Sequence, residues 1–523
     1  MRSLLLAGIA LACVTLPAHK ALADQTATVI ADQSTAAPAA PPASAAPAAV
    51  ATAGPPSTLV QALVAAYQNN ATLQEQRAAL RQADEDVPTA LSGWMPTVSL
   101  SGTYGRTSET LSQSVTALQQ AEGVEGKTPE NFNESIGQAT ASEELYSGGK
   151  TTAQLRQAKN SVYAARAQLL ATEQTVFLNV VQAYVTVVTD TQVLALQENN
   201  EKVLQQQLKD TQTQFDVGEI TMTSVAQAQA SLAQAVEQVQ VAIGNMKIAQ
   251  ENFRQLVGQY PADTLTPPQP LLLPVGSKAA AATQAVANNP NVIAAQFEDA
   301  ASKDAVNVAF AALMPQLQIQ ASAFHEVGQS YAGSQLKGGS LIGQLTVPLY
   351  QGGQEYAAIR NARAKEQQSF AAILDAQRTA WYQGAQGWEA IVATRAAIVA
   401  SNVEIKANAI ALDGTEREEL VGTRTTLDVL NAQQLLLNSQ VQQVQNIGTL
   451  VNNTYTVASA IGRLTVRDLG LPVQEYDDLK YYNAVKYAGF GTGEWADHKA
   501  GIAPDGTLLD AAPAPGAAGG PAP

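Results

Sequence analysis

Cysteine is nearly missing from this chain: of 523 residues only Cys13 is one, and it lies in a segment that export would remove. The mature chain therefore has no disulfide and no thiol chemistry. Histidine is almost as scarce, and His19, His325 and His498 fall in an export signal, a strand end and a tail. No catalytic triad and no metal-ligand spacing can be built from them. Charged residues are only 14% of the chain, against about 25% in ordinary globular proteins. A basic surplus is absent too, since the net charge is −15. That excludes a nucleic-acid partner, because neutralising phosphates needs a basic surface; an acidic exterior facing water accounts for the charge equally well. After the first 23 residues no apolar run approaches the roughly 18 residues that a membrane-spanning helix needs. Any crossing must use strands.

Met1 to Ala23 has the parts of an export signal: Arg2, an apolar stretch from Leu4 to Leu16, and Ala21, Leu22 and Ala23 as a small-residue cleavage site. Lipidation at Cys13 fits less well, because Leu11 and Ala12 match a lipobox poorly. Residues 24–56 form an Ala- and Pro-rich, disordered linker that reads as a tether. Residues 474–523 are a C-terminal tail of another composition, with Tyr476, Tyr481, Tyr482, Tyr487, Phe490 and Trp495 before a run of Pro, Ala and Gly. We expect it to be periplasmic and partly disordered, and the sequence assigns it no role.

Between these ends the chain repeats itself. Asn69, Asn70 and Ala71 match Asn288, Asn289 and Pro290, and Pro96 matches Pro315, at a shift of 219. Leu145 to Gly149 match Leu349 to Gly353, Gly218 matches Gly422 and Gly258 matches Gly462, at a shift of 204. The first repeat, 57–262, therefore carries an excess of 15 residues between Pro96 and Leu145, placed in a longer loop. A linker, 263–276, leads to the second repeat, 277–473.

From Gly149 to Gly218, and again from Gly353 to Gly422, there are 69 positions with no proline. Helices are expected over 150–216 and 354–420, each about 100 Å long at 1.5 Å per residue. No globular core needs such a length. Leu155, Val162, Leu169 and Val176, then Ile391, Ile398, Ile405 and Leu412, recur every seven positions, as in supercoiled helices. Shorter helices, 57–92 with 223–257 and 277–312 with 426–461, would stack end to end along each long one.

Pro96 and Pro315 stop helices, and alternating residues follow, such as Val98, Leu100, Gly102 and Tyr104. Strands are expected over about 96–106 and 135–146, and again over 315–325 and 340–350. Gly148, Gly149, Gly352 and Gly353 turn the chain from strand into helix; none belongs to the complete Gly-rich fingerprint with Lys and Ser/Thr that would make a phosphate loop. Strands of this length with one apolar face suit a membrane. Four strands cannot close a barrel, so a dimer or trimer would be required, and a soluble four-stranded sheet stays open as the alternative.

The paired helix-strand-strand-helix units, the twin turns at Leu145–Gly149 and Leu349–Gly353, and the stretch Val421 to Leu430 resemble TolC-type outer-membrane factors over roughly Ser57 to Val473. That resemblance implies a mainly α fold with a transmembrane β-barrel: a homotrimer with twelve strands in outer-membrane lipid, continuous with a long periplasmic α-helical barrel. It implies export of polypeptides or small molecules through type I secretion or efflux, with a periplasmic adaptor protein and an inner-membrane ABC or proton-driven transporter as partners, no cofactor and no enzymatic activity. It also implies a constriction at the helical tips. Gly218 and Gly422 would mark the tip turns, and Asp428 matches an acidic position that rings the constriction. Asn431 stands where relatives carry a second acid. Arg424 matches a residue that ties hairpins shut, with Thr223 and Ser224 at its partner positions and Glu419 where relatives can carry tyrosine. Asp at a helix start and Arg beside it form an ordinary pair in any protein. A coiled-coil surface adhesin or periplasmic spacer would explain export, heptads and low charge, but not two strand pairs in matching places.

Overall fold

The computed structural model describes residues 54–112, 127–328 and 334–503. The expected export signal, nearly all of the Ala/Pro-rich linker, the connection 113–126 and the last twenty residues of the tail lie outside them. In chain order the elements are α1 (Leu59–Asn69), α2 (Ala71–Asp84), α3 (Asp86–Ser92), β1 (Thr97–Ser112), β2 (Lys127–Tyr146), α4 (Lys150–Asp216) and α5 (Met222–Val257). The second copy follows with α6 (Lys278–Asn288), α7 (Pro290–Ala311), β3 (Gln316–Val327), β4 (Gln335–Thr346), α8 (Gln354–Leu420) and α9 (Thr426–Ala460). Three short helices close the chain: α10 (Val466–Leu469), α11 (Asp478–Val485) and α12 (Glu494–Ala500). Among the described residues no helix is long and apolar enough to cross a membrane.

The rods α4 and α8 are 67 residues each. The 57–92 stretch is broken where a single helix was expected. Asn70 ends α1 and starts α2, because its side chain accepts from Leu73 N while its backbone sits at φ −68°, ψ 122°. Asn289 does the same between α6 and α7. Each asparagine also donates through Nδ2 to the end of the returning helix, Asn70 to Leu256 O at 2.9 Å and Asn289 to Ala460 O at 3.1 Å. The break is thus where two stacked helices meet along their rod.

The four strands form one antiparallel sheet in the order β1-β2-β3-β4. β2 and β3 join the two copies, from Ser135 opposite Val327 to Tyr146 opposite Leu317. β1 and β4 are left as edges. The first hairpin has strands of 16 and 20 residues and the second 12 and 12. The excess of the first copy is therefore partly in its strands and not in a loop alone, since pairing continues out to Ser112 and Lys127. β4 also begins earlier than expected and stops at Thr346.

The main core lies where α1, α2, α5 and α9 meet the middle of α4. Phe177, Tyr184 and Phe253 are fully buried there among Leu63, Leu73 and Leu80. The Tyr184 hydroxyl lies 2.9 Å from the carbonyls of Ser57 and Thr266, tying both linkers to the rod. The second copy packs through small residues instead. Gly384 of α8 leaves room for α6, since a Cβ there would stand 2.9 Å from Ala281 O. Of the expected stripes, Val162, Leu169, Val176 and Ile391 are buried, whereas Leu155, Ile398, Ile405 and Leu412 are half-buried; Trp381 of α8 is half exposed. The copies are bolted together by Asp304 of α7, which accepts from Arg156 Nε at 3.0 Å and Asn160 Nδ2 at 2.9 Å of α4.

Candidate functional site at the helical tips

Both rods end in the same hydrogen-bonded turn. Gly218 N donates to Phe215 O and Glu219 N to Gln214 O; Gly422 N donates to Glu419 O and Thr423 N to Glu418 O. Two such bonds close a helix only if the residue after its last turn is left-handed. Gly218 and Gly422 have φ of 84° and 78°, a conformation that side chains rarely adopt. At the opposite ends, Gly148, Gly149, Gly352 and Gly353 all have positive φ, and Gly149 and Gly353 are the N-caps of the rods. Pro96 and Pro315 each stand directly before a strand.

Beyond the turns the tips diverge. In the second, Thr425 caps α9: Asp428 N donates to Thr425 Oγ1 at 3.3 Å, while Asp428 Oδ2 accepts from Thr425 N at 3.0 Å and from Thr425 Oγ1 at 2.9 Å. These bonds, and then the nearby Arg424 charge, hold the Asp428 carboxyl below the ordinary aspartate range. In the first tip Thr221 precedes α5 without a side-chain cap bond. Ser224 occupies there the position that Asp428 has in the second, 204 residues on. Its N–H is satisfied by Thr221 O at 3.1 Å. Thr223 is exposed and Ser224 half-buried.

Arg424 is tied within its own tip, with Nε donating to Glu418 Oε2 at 3.0 Å and both side chains about half exposed. Glu418 was not singled out from sequence. The signal available was its place six residues before Arg424, across a turn that folds the chain back. Glu419 keeps a buried Oε1 with no hydrogen-bond partner among the described residues. Asn431 is exposed three residues after Asp428, on the same side of α9. Behind the tips, Leu430 of α9 packs against Leu204 of α4 and Ala235 of α5, joining the hairpins. Apolar side chains crowd the surface, with Val217, Met222, Leu420, Val421 and Leu427 all exposed. No cluster of His, Cys, Asp and Glu suited to a metal occurs among the described residues. A ring of carboxylates built from symmetry copies needs only one such residue per chain.

The model of the family described as outer membrane efflux protein matches residues 62–259 and 281–463, one segment in each copy. Over 439 residues the chain is 33% identical to outer membrane efflux protein BepC of Brucella suis biovar 1 (strain 1330), a similarity covering 83% of this chain and 91% of that protein. It is 25% identical over 319 residues to outer membrane protein TolC of Escherichia coli (strain K12), covering 57% of this chain and 63% of that protein. Among solved structures, the CmeC outer membrane channel of Campylobacter jejuni superposes with a TM-score of 0.67 at 18% identity, over 78% of this chain and 86% of that one. CusC superposes with a TM-score of 0.67 at 16% identity, over 77% and 91%. At these identities the structures speak for the fold.

Proposed function

Because the chain belongs to the family of outer membrane efflux proteins, we propose that three copies close one barrel and one tunnel, with the tips as the gate. The chain itself is an outer-membrane channel subunit of tripartite efflux or secretion systems, with its helical tunnel in the periplasm. Family and fold are those of channel proteins, and the adhesin or spacer reading gives way to them. We assign the chain no enzymatic role and no cofactor.

The observation that requires more than one copy is the sheet with two open edges, and the likeness to the family makes the number three. An unpaired strand edge is not tolerated in lipid, so β4 of one copy must pair with β1 of the next. Three copies give twelve strands. The same operation would set the half-exposed face of α8, with Trp381, against the neighbouring subunit.

At the tips, three copies of Asp428 would line the narrowest ring and hold a cation from the periplasmic side, with Asn431 adding a polar but uncharged second layer. Gly218 and Gly422 would be the turns about which the hairpins part. Thr223 and Ser224 offer Arg424 no carboxylate, and Glu418 of its own tip competes for it. The latch between hairpins is then weaker than a cross-hairpin ion pair, with Glu419 beside it. The exposed Val217, Met222, Leu420, Val421 and Leu427 suit docking by a periplasmic adaptor, and through it by an ABC or proton-driven transporter.

Single-channel conductance with a divalent or trivalent ion on the tip side tests the ring. Asp428→Ala should abolish most of the block, and unchanged block would remove Asp428 from the constriction. The Thr425 bonds that favour the charged Asp428 carboxyl work against the mutual repulsion of three carboxylates in a ring, so wild-type block should persist from about pH 7 to about pH 5.

A further inference from the structure

The family match stops at residue 463, but the described residues continue to 503. They run back along α4 toward the sheet. Val466 N donates to Glu173 Oε1 at 2.9 Å, and Tyr476 N donates to the Tyr67 hydroxyl at 2.9 Å. Arg166 Nε then pairs with Asp478 at 3.2 Å, and Tyr482 packs on the buried cluster of Val87, Ala158 and Val162. The partners on α4 thus step from Glu173 to Arg166 to Val162 and Ala158, which at 1.5 Å per residue is about 17–22 Å toward its N-terminus. Leu91 and Leu155, which pack on the same cluster, belong to the last turns before the strands, since β1 begins at Thr97 and α4 at Lys150.

There the tail makes a hairpin. α11 packs on α12 through Tyr481, Val485, Ala496 and Ala500, and Ile502 returns beside Gln474 and Tyr476. The turn between them, 486–493, is therefore the end of the hairpin nearest the sheet. It and the start of α12 present Tyr487, Phe490 and Trp495, and Phe490 is 98% exposed. Lys486 Nζ lies over the rings of Tyr482 and Tyr487, at 5.8 and 5.4 Å. Further toward the sheet, Trp94, Tyr146 and Tyr350 are exposed at the junctions between helices and strands.

We propose that this aromatic turn is a lipid anchor, which seats Tyr487, Phe490 and Trp495 in the headgroup layer of the periplasmic leaflet. Rings with an apolar body and a polar edge favour that layer. A lone, fully exposed Phe gains from leaving water, and Lys486 supplies a cation for lipid phosphate. Two independent features meet here: the strap of contacts fixes the height of the turn, and its side chains have the chemistry of a membrane interface. The anchor rests on the membrane-spanning reading of the sheet.

The test is depth measurement by spin label. The full chain with Cys13→Ala carries Phe490→Cys and is reconstituted into phosphatidylethanolamine and phosphatidylglycerol vesicles. Leu100→Cys and Ser101→Cys serve as the strand references and Gln442→Cys as the aqueous one. The Phe490 label should be relaxed strongly by oxygen and weakly by a nickel chelate, with an oxygen-to-nickel ratio severalfold above that at Gln442. A ratio equal to that at Gln442, with Leu100 or Ser101 in lipid, would overturn the anchor and leave the channel reading intact. A label shielded from both reagents would overturn it in favour of a contact with a neighbouring subunit. Labels in water at both Leu100 and its opposite-facing neighbour Ser101 would sink the spanning sheet and the anchor with it.

Discussion

Two acids, Asp84 buried and Glu173 half-buried, sit beneath the C-terminal strap, and both are held well above their ordinary range. Burial pushes Glu173 up to about 7, against the opposing pull of the Val466 N–H and the Arg77 guanidinium. Burial likewise pushes Asp84 up to about 7, with Asp478 and Glu85 adding to it and Arg166 opposing. The Arg77 guanidinium, 4% exposed as a residue, lies 4.5 Å from the Tyr67 ring and 5.2 Å from the Tyr476 ring. An acid whose pKa is raised on folding binds more protons folded than unfolded. Its ionisation then opposes folding increasingly as pH climbs from the unfolded value toward about 7. The strap should accordingly hold tighter at about pH 5 than at about pH 7.5. Amide exchange over 464–482, corrected for intrinsic rates, should show it. Glu173→Gln keeps an acceptor for Val466 N–H and should flatten part of that dependence; an unaltered slope would remove Glu173 as a source. At the tips a single exchange, Ser224 for Asp428, leaves one returning helix without the reciprocal cap of the other.

At the scale of elements, the two asparagine breaks are the joints of the rods. Asn289→Ala would remove a helix cap and leave Ala460 O without its donor, lowering stability by about 1–2 kcal/mol. The denaturation midpoint of the detergent-solubilised protein reads this, and a shift too small to resolve would mean the joint is held by packing alone. These breaks also mark the limit of what sequence reveals. Proline-free stretches of constant length made the rods legible, and Pro96 and Pro315 the strand starts. Periodicity does not register one capping residue inside a helical stretch, although Asn289 before Pro290 was a usable hint, since proline disfavours helix in the residue before it. The longer strands of the first hairpin escaped because their outer parts alternate poorly. Gly384 was unreadable for another reason: its value lies in the approach of α6, which no local pattern encodes. Among the tip residues, Arg424 and Asp428 stood out by resemblance, while Glu418 became visible only when the turn placed it at 3.0 Å from Arg424.

At the scale of the whole molecule, the sheet sets the terms. Val98, Leu100 and Tyr104 are 76–84% exposed on one face of β1, with Thr97, Ser99, Ser101 and Thr103 alternating between them. If that face meets lipid, Leu100→Lys should lower stability in the membrane by about 2–4 kcal/mol near the midplane. The yield of heat-modifiable oligomer in the outer membrane measures it, and a normal yield would place Leu100 in the lumen. The unequal hairpins add a second consequence, since strands of 16 and 20 residues beside strands of 12 would alternate tall and short around the outer rim, lowering its symmetry from sixfold to threefold.

The two open edges carry a genetic corollary. Each chain offers a socket at β1 and a plug at β4, and a ring of such joints closes only when every member is sound. A subunit able to donate one edge but not the other would enter nascent rings and stall them. In a cell that makes both kinds equally, intact rings would fall roughly as the cube of the sound fraction. Damage to one sheet edge should therefore behave as a dominant trait, whereas loss of the whole chain should behave as a recessive one.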